Sequence, residues 1–170
     1  MTSIQKEIED AAVITFLAMA IDKTNTMNQH IDDQTNIMVG VGTAVFVFAT
    51  ARFGSTDNKL AFGILGVFAA TSALVGLFAL HPPRFMRKKG QDESLIFPTH
   101  IAATQNVESY IAAIHKVVQK QSLVVEQCSR ELYNMSRYYY LPKRWLYRCS
   151  RNFLLAGVAL ALISFIIGLK

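Results

Sequence analysis

The sequence predicts an all-α membrane protein with three transmembrane helices and a cytoplasmic helical layer, formed by an N-terminal helix and a long 106–140 helix. Three observations carry this prediction. Apolar residues make up 52% of the 170-residue chain and charged residues only 17%, below the roughly 25% of an average soluble domain. The apolar residues gather in three runs free of Asp, Glu, Lys and Arg: Gln34 to Ala51, Leu60 to Leu80 and Asn152 to Leu169, of 18, 21 and 18 residues. The cations gather between the second and third runs. A helix rising about 1.5 Å per residue needs about 20 residues to cross a hydrocarbon core about 30 Å thick. The first and third runs are therefore short spans, and none of the three runs offers the charged face of a soluble amphipathic helix.

Taken in order, the predicted organisation is an N-terminal cytoplasmic helix over 1–33, spans over 34–51, 60–80 and 152–169, and a basic helical cytoplasmic segment over 81–151. The first ten residues are acidic where a signal peptide would be basic, so none is expected. The run Ala11 to Ile21 holds 11 residues, too few to span, and reads as a buried or interfacial helix. Ile4, Ile8, Ala11, Val13, Ile14, Leu17 and Ile21 form a broad apolar stripe. A helix continues readily from there through Asp32 and Asp33 into the first span.

Charge sets the orientation. Residues 81 to 151 hold 12 of the 17 cations against five acids, a local net of +7. Arg84, Arg87, Lys88 and Lys89 follow the second span, and Lys143, Arg144, Arg148 and Arg151 precede the third. Cytoplasmic flanks carry such an excess of Lys and Arg. Both the N-terminus and the 81–151 segment are therefore expected inside, with the C-terminus periplasmic. The same clusters fit a second reading as sites for anionic lipid or phosphate.

Within the cytoplasmic segment, Pro82-Pro83 stops the second span, and Thr104 or Asn106 can cap the next helix. Val107, Ile111, Ile114, Val118, Val125, Cys128, Leu132 and Met135 then alternate at spacings of four and three, with Gln121 filling the gap. That is a coiled-coil or helix-packing seam, in which a polar residue fixes register at a cost in stability. Packing on the N-terminal helix and self-association are both open to it. Pro142 is expected to end or kink this helix. In the spans, Gly66 and Ala70, Ala69 and Ala73, and Ser72 and Gly76 stand four apart, and Gly40, Gly42 and Thr43 crowd the first. Such residues let helices approach closely in lipid, within one chain or between copies.

Signs of catalysis are missing. His30, His81, His100 and His115 form no metal-ligand pair, no nucleophile motif or phosphate loop is present, and Cys128 and Cys149 lack metal spacing. No ionisable residue lies in the three apolar runs, so no proton relay or ion pathway is expected. A cationic, aromatic surface remains, with Tyr110, Tyr133, Tyr138, Tyr139, Tyr140, Trp145 and Tyr147 among the basic residues. It fits an interfacial belt, or a nucleotide pocket in which Tyr stacks on a base and Arg or Lys holds phosphate. Lys116, Lys120, Arg130 and Arg137 lie deeper in the segment than the flanking clusters and are the candidate phosphate ligands, with Tyr110 as the stacking residue.

The order of features carries a resemblance. Asp33-Gln-Thr-Asn36 leads into the first span. His81-Pro82-Pro83-Arg84 follows the second. Ser94-Leu-Ile-Phe97, His100 and Val107-Glu-Ser-Tyr110 come next, and Glu131-Leu-Tyr133 leads through Tyr140-Leu-Pro-Lys-Arg-Trp145-Leu-Tyr147-Arg148 into the last span. From about residue 10 to 169 the chain resembles the transmembrane effectors of the Pycsar bacterial anti-phage systems. Relatives of this pattern carry a Lys just after the acid heading the first span, where this chain has Gln34 and Thr35. The resemblance implies an inner-membrane effector that is not an enzyme and needs no cofactor, metal or nucleic acid. It implies sensing of cyclic CMP or cyclic UMP made by a partner pyrimidine cyclase, a homo-oligomeric state, and membrane impairment that aborts infection. It adds His100 and Asp33 to the candidate ligand residues. Two other readings fit the residues: a membrane scaffold acting through the heptad seam, and a small constitutive holin-like pore.

Overall fold

In a computed structural model the backbone of residues 3–54, 58–83 and 94–168 is described, with side chains for all of these except 3–10 and 98–100. The basic cluster Arg84, Arg87, Lys88 and Lys89 lies outside the described residues, as does the His100 side chain. The described residues form helices α1 (Ser3–Phe53), α2 (Lys59–Leu80), α3 (Pro98–Ala103), α4 (Val107–Val118), α5 (Gln121–Asn134) and α6 (Leu141–Gly168), with a π-helical segment at Met135–Tyr140 between α5 and α6. No strand occurs among them. Three helical stretches, Ala11–Phe53, Lys59–Leu80 and Gln121–Gly168, are long and apolar enough to cross a membrane.

The N-terminal helix and the first span are one element. α1 takes in 51 residues. Its many threonines turn their hydroxyls back onto the helix: Thr15, Thr24, Thr35 and Thr43 donate to the carbonyls of Ala11, Ala20, Ile31 and Val39 at 2.7–2.9 Å. This satisfies each hydroxyl without breaking the ladder. Pro82 and Pro83 stop α2 as expected, leaving His81 as its last capping residue.

By internal contacts the chain divides into two units, residues 1–28 with 87–140 and residues 29–86 with 141–170. The second unit is a bundle of the C-terminal half of α1 with α2 and α6. Most of its buried residues are small: Thr35, Gly42 and Ala49 on α1, Ala61, Gly66, Ala69, Ser72, Gly76 and Ala79 on α2, Ser150, Gly157 and Ala161 on α6, with Ile31, Pro82, Leu146 and Leu154 the larger exceptions. On α1 the small ones lie seven apart, a seam of small residues that lets backbones touch where lipid supplies no hydrophobic drive. Gly42, Gly76 and Gly157 are required sterically. A Cβ on Gly42 would lie 3.3 Å from the Ala69 carbonyl oxygen, and one on Gly157 would strike the Phe68 Cβ.

The stretch read as one 106–140 helix is broken. Asn106 caps α4, its Oδ1 accepting from the Ser109 N–H at 2.8 Å. The helix then stops after Val118, and Lys120 takes an extended conformation, φ −129 and ψ 110, before α5 begins. The break, at Gln119 and Lys120, comes just before Gln121, where the seam has no apolar residue to bury, so continuity there gains the chain little. The predicted kink at Pro142 takes another form. In a regular α-helix the proline ring would collide with the carbonyl of Tyr138. The wider π-helical turns of Met135–Tyr140 come just before it, and α6 continues through Pro142 without a stop.

Candidate functional site

The bundle carries a polar clasp where its three helices meet. Ser72 on α2 and Ser150 on α6 are fully buried and exchange hydrogen bonds: the Ser72 hydroxyl donates to the Ser150 carbonyl at 2.8 Å and the Ser150 hydroxyl to the Ser72 carbonyl at 2.9 Å. One turn away, Gly76 gives α1 room. A Cβ there would lie 2.6 Å from Val39 Cγ2, 3.4 Å from Ser150 Oγ and 3.9 Å from Thr35 Cγ2. Nearby on α1, Asp32 receives both its hydrogen bonds from Lys143 of α6, Nζ donating at 2.8 and 2.7 Å. The Lys143 side chain is 14% exposed and Asp32 36%, so the pair is partly desolvated and stronger than a surface bridge. Lys143, read as a flanking charge, is thus bound inward. The paired acid is Asp32. Asp33, the residue read as a candidate ligand, is exposed.

The 1–28/87–140 unit carries a second polar cluster. Gln127, Glu131 and Asn134 lie on one face of α5, at spacings of four and three, and Glu131 and Asn134 are 7% exposed. The segment 94–97 docks on this face as a strap. The buried Ser94 hydroxyl donates to the Glu131 carboxylate, and the Leu95 N–H donates to Gln127 Oε1 at 2.9 Å. Phe97 closes the strap against Tyr139 of the π-helical segment, ring centroids 5.4 Å apart. Low dielectric makes such bonds strong and their loss costly. Sequence reasoning placed Ser94 and Glu131 in the family pattern and did not pair them. Their joint presence in that pattern was the available signal. On α1 of the same unit, Asn28 Oδ1 is buried with no hydrogen-bond partner among the described residues, an arrangement that costs roughly 1–3 kcal/mol.

The candidate ligand residues fall as follows. Tyr110 is half-buried on α4. Lys116 and Lys120 are exposed at the α4–α5 break, and Arg137 is exposed on the π-helical segment. Arg130 is held by Glu126 one turn before it, at 2.6 Å. All five belong to the 1–28/87–140 unit, and among the described residues no hydrogen bond or ion pair joins any two of them. Arg144, Arg148 and Arg151 are exposed on α6. No group of three or more His, Cys, Asp or Glu gathers among the described residues. Cys128 and Cys149 are free thiols. A cavity of 160 Å³ between α2 and α6 is lined by apolar side chains, Phe62, Leu65 and Phe165 among them, and offers nothing to hold a phosphate.

Neither a curated protein nor a solved structure matches the chain. The family model described as Pycsar effector protein domain matches residues 16–168. That span takes in the three membrane-crossing stretches nearly whole, the clasp and the strap, and the chain belongs to the Pycsar effector family, the membrane arm of a cyclic-pyrimidine anti-phage system.

Proposed function

We propose that the protein senses a cyclic pyrimidine mononucleotide, cyclic CMP or cyclic UMP, through its basic helical unit, and answers by impairing the bacterial inner membrane, aborting infection. The observation that carries this reading is the family match over residues 16–168, on a chain that joins a three-helix membrane bundle to a basic segment. The protein acts as a non-catalytic homo-oligomer, with the N-terminus in the cytoplasm and the C-terminus in the periplasm. Arg137, Lys116, Lys120 and Arg130 are the phosphate ligands of choice, Tyr110 the base-stacking one, with His100 and Asp33 as further candidates.

Sensing is a population shift. The messenger must bind the active arrangement better than the resting one, and a thousandfold shift needs about 4 kcal/mol of differential affinity. Two charge-assisted contacts to phosphate and one stacked ring supply energy of that order. The decisive experiment expresses the chain with and without a pyrimidine cyclase while membrane potential is followed. Depolarisation only with the cyclase supports the sensor. Depolarisation without it supports a constitutive pore. No depolarisation, with a protein partner retained in the absence of messenger, supports a scaffold. Replacing Arg137 or Tyr110 by Ala then separates messenger binding from membrane insertion.

A further inference from the structure

The contacts between α2 and α6 fix their relative height, and that height places charge where the sequence has none to expect. The helices run antiparallel. Ser150 bonds Ser72 at 2.8 Å, the Phe153 and Phe68 rings lie 6.3 Å apart, Gly157 meets Phe68, and at the far end Gly168 faces Asn58. This register sets the Leu80 end of α2 beside Lys143 and Arg144. It sets Arg148 level with about Gly76, and Arg151 level with about Ala73, roughly 10 Å inside the end of α2 at 1.5 Å per residue. The apolar run of α2, 21 residues, is about as long as the hydrocarbon core is thick. On α2, Leu74, Leu77 and Phe78 are 57%, 50% and 54% exposed at these same heights, as a lipid-facing surface is. The α6 run that begins at Asn152 therefore covers only part of what α6 sets against α2.

Arg148 and Arg151 do not turn into the bundle. The inward face of α6 is Leu146, Ser150, Leu154 and Gly157, and both arginines are exposed on the other side. They stand at spacings of three and four in line with Leu155, which is 60% exposed. Among the described residues neither has a hydrogen-bond or ion-pair partner. One helix face thus reads guanidinium, guanidinium, then bare hydrocarbon, in the order of a phospholipid from phosphate to acyl chain. Both cations are Arg, the side chain that grips phosphate with two donors and keeps its charge in poorly hydrated places.

We infer that this face of α6 is a phospholipid-binding stripe. Arg148 and Arg151 hold lipid phosphates well below the headgroup plane that α2 sets, thinning the bilayer on one side of the bundle. Bilayers do adapt to short helices by thinning, and arginines reach toward headgroups. The effect here is one-sided, because α2 spans fully while α6 presents charge at the same depth. The stripe stands independently of any messenger.

The full chain, with every arginine labelled at Cζ, is placed in phosphatidylethanolamine–phosphatidylglycerol bilayers in phosphate-free buffer, so that lipid is the only source of ³¹P. Carbon–phosphorus dipolar dephasing is compared between the native chain and the doubly substituted Arg148→Lys, Arg151→Lys chain. This variant keeps charge and insertion while removing two of eight labelled carbons. Loss of a strongly dephased component in the variant is expected, and an unchanged dephased component overturns the stripe. Thinning has its own readout. With Cys128 and Cys149 replaced by Ser, spin labels at Leu74→Cys and Asn152→Cys sit at nearly one height on different helices. The label at 152 is expected to be several-fold more accessible to a water-soluble relaxant. Equal accessibility overturns the one-sided thinning.

Discussion

The two units bury different things. In the 29–86/141–170 bundle most hidden residues are glycines, alanines and serines at the closest approach of three backbones, with Gly42, Gly76 and Gly157 each filled on the open side by a neighbour and Ile31, Leu146 and Leu154 the larger buried side chains. In the 1–28/87–140 unit the described residues below a tenth exposed are few and mostly polar: Ser94, Glu131 and Asn134, beside Leu17 and Met135. Helix α4 buries no residue at all. A bundle held by shape tolerates little added volume where the backbones touch. A unit held by a few hydrogen bonds and little apolar area lies at the low-stability end of the protein. That is where a small ligand, with only a few kcal/mol of differential affinity, has leverage.

The comparison breaks most sharply at Gly157. Valine there drives its Cβ into the Cβ and Cγ of Phe68, and should cost about 3 kcal/mol, the upper part of the overpacking range, read by denaturant titration in mixed micelles. Gly76→Ala should cost about 1 kcal/mol, because the obstacle is the Val39 methyl, which can turn aside. Gly40→Ala, with nothing within 4 Å, should leave the bundle unchanged. Equal effects at the three sites would mean that close approach does not hold these helices.

The Asp32–Lys143 pair comes next. Removing one partner leaves a charge partly desolvated beside the helices. A fully buried pair would lose 3–5 kcal/mol, and the exposure of Asp32 reduces this to about 1–2 kcal/mol. Asp32→Asn should show that loss in the same titration, and the exchanged pair Asp32→Lys with Lys143→Asp should recover most of it. Ser94→Ala should follow at about 1 kcal/mol, since it strips the Glu131 carboxylate of its donor. Its mark is local: faster hydrogen exchange at the Leu95 amide, with the bundle undisturbed.

Much of this architecture was legible locally. The apolar runs, the Asn106 cap and the Pro82-Pro83 stop each depend on a few adjacent residues, and each reads directly. The clasp did not, because Lys143 reaches Asp32 across 111 positions and Ser150 reaches Ser72 across 78. In lipid, helices slide until small residues meet, and no local pattern states how far. For the same reason the depth of Arg151 escaped notice. In sequence it stands just outside an apolar run, and only the register with α2 carries it inward. The break after Val118 shows a different limit, since a four-three seam counts apolar residues and does not say whether anything is there to bury them.

The smallest effect tests what α4 is for. Its apolar face has Val107, Ile111 and Val118 at 68%, 48% and 67% exposed, so the fold of one chain draws little from it. Ile111→Asn should change unfolding by less than about 0.5 kcal/mol, as exposed substitutions do. Leu17, 9% exposed on α1 of the same unit, should lose about 2 kcal/mol or more on replacement by Ala. A homo-oligomer that seats this face would behave otherwise. Ile111→Asn would then lower the apparent stability by an amount that grows with the logarithm of protein concentration, because a partner that binds only the folded state stabilises it by mass action. A concentration-independent result within 0.5 kcal/mol leaves the face free in the resting protein, available to whatever contact the active arrangement makes.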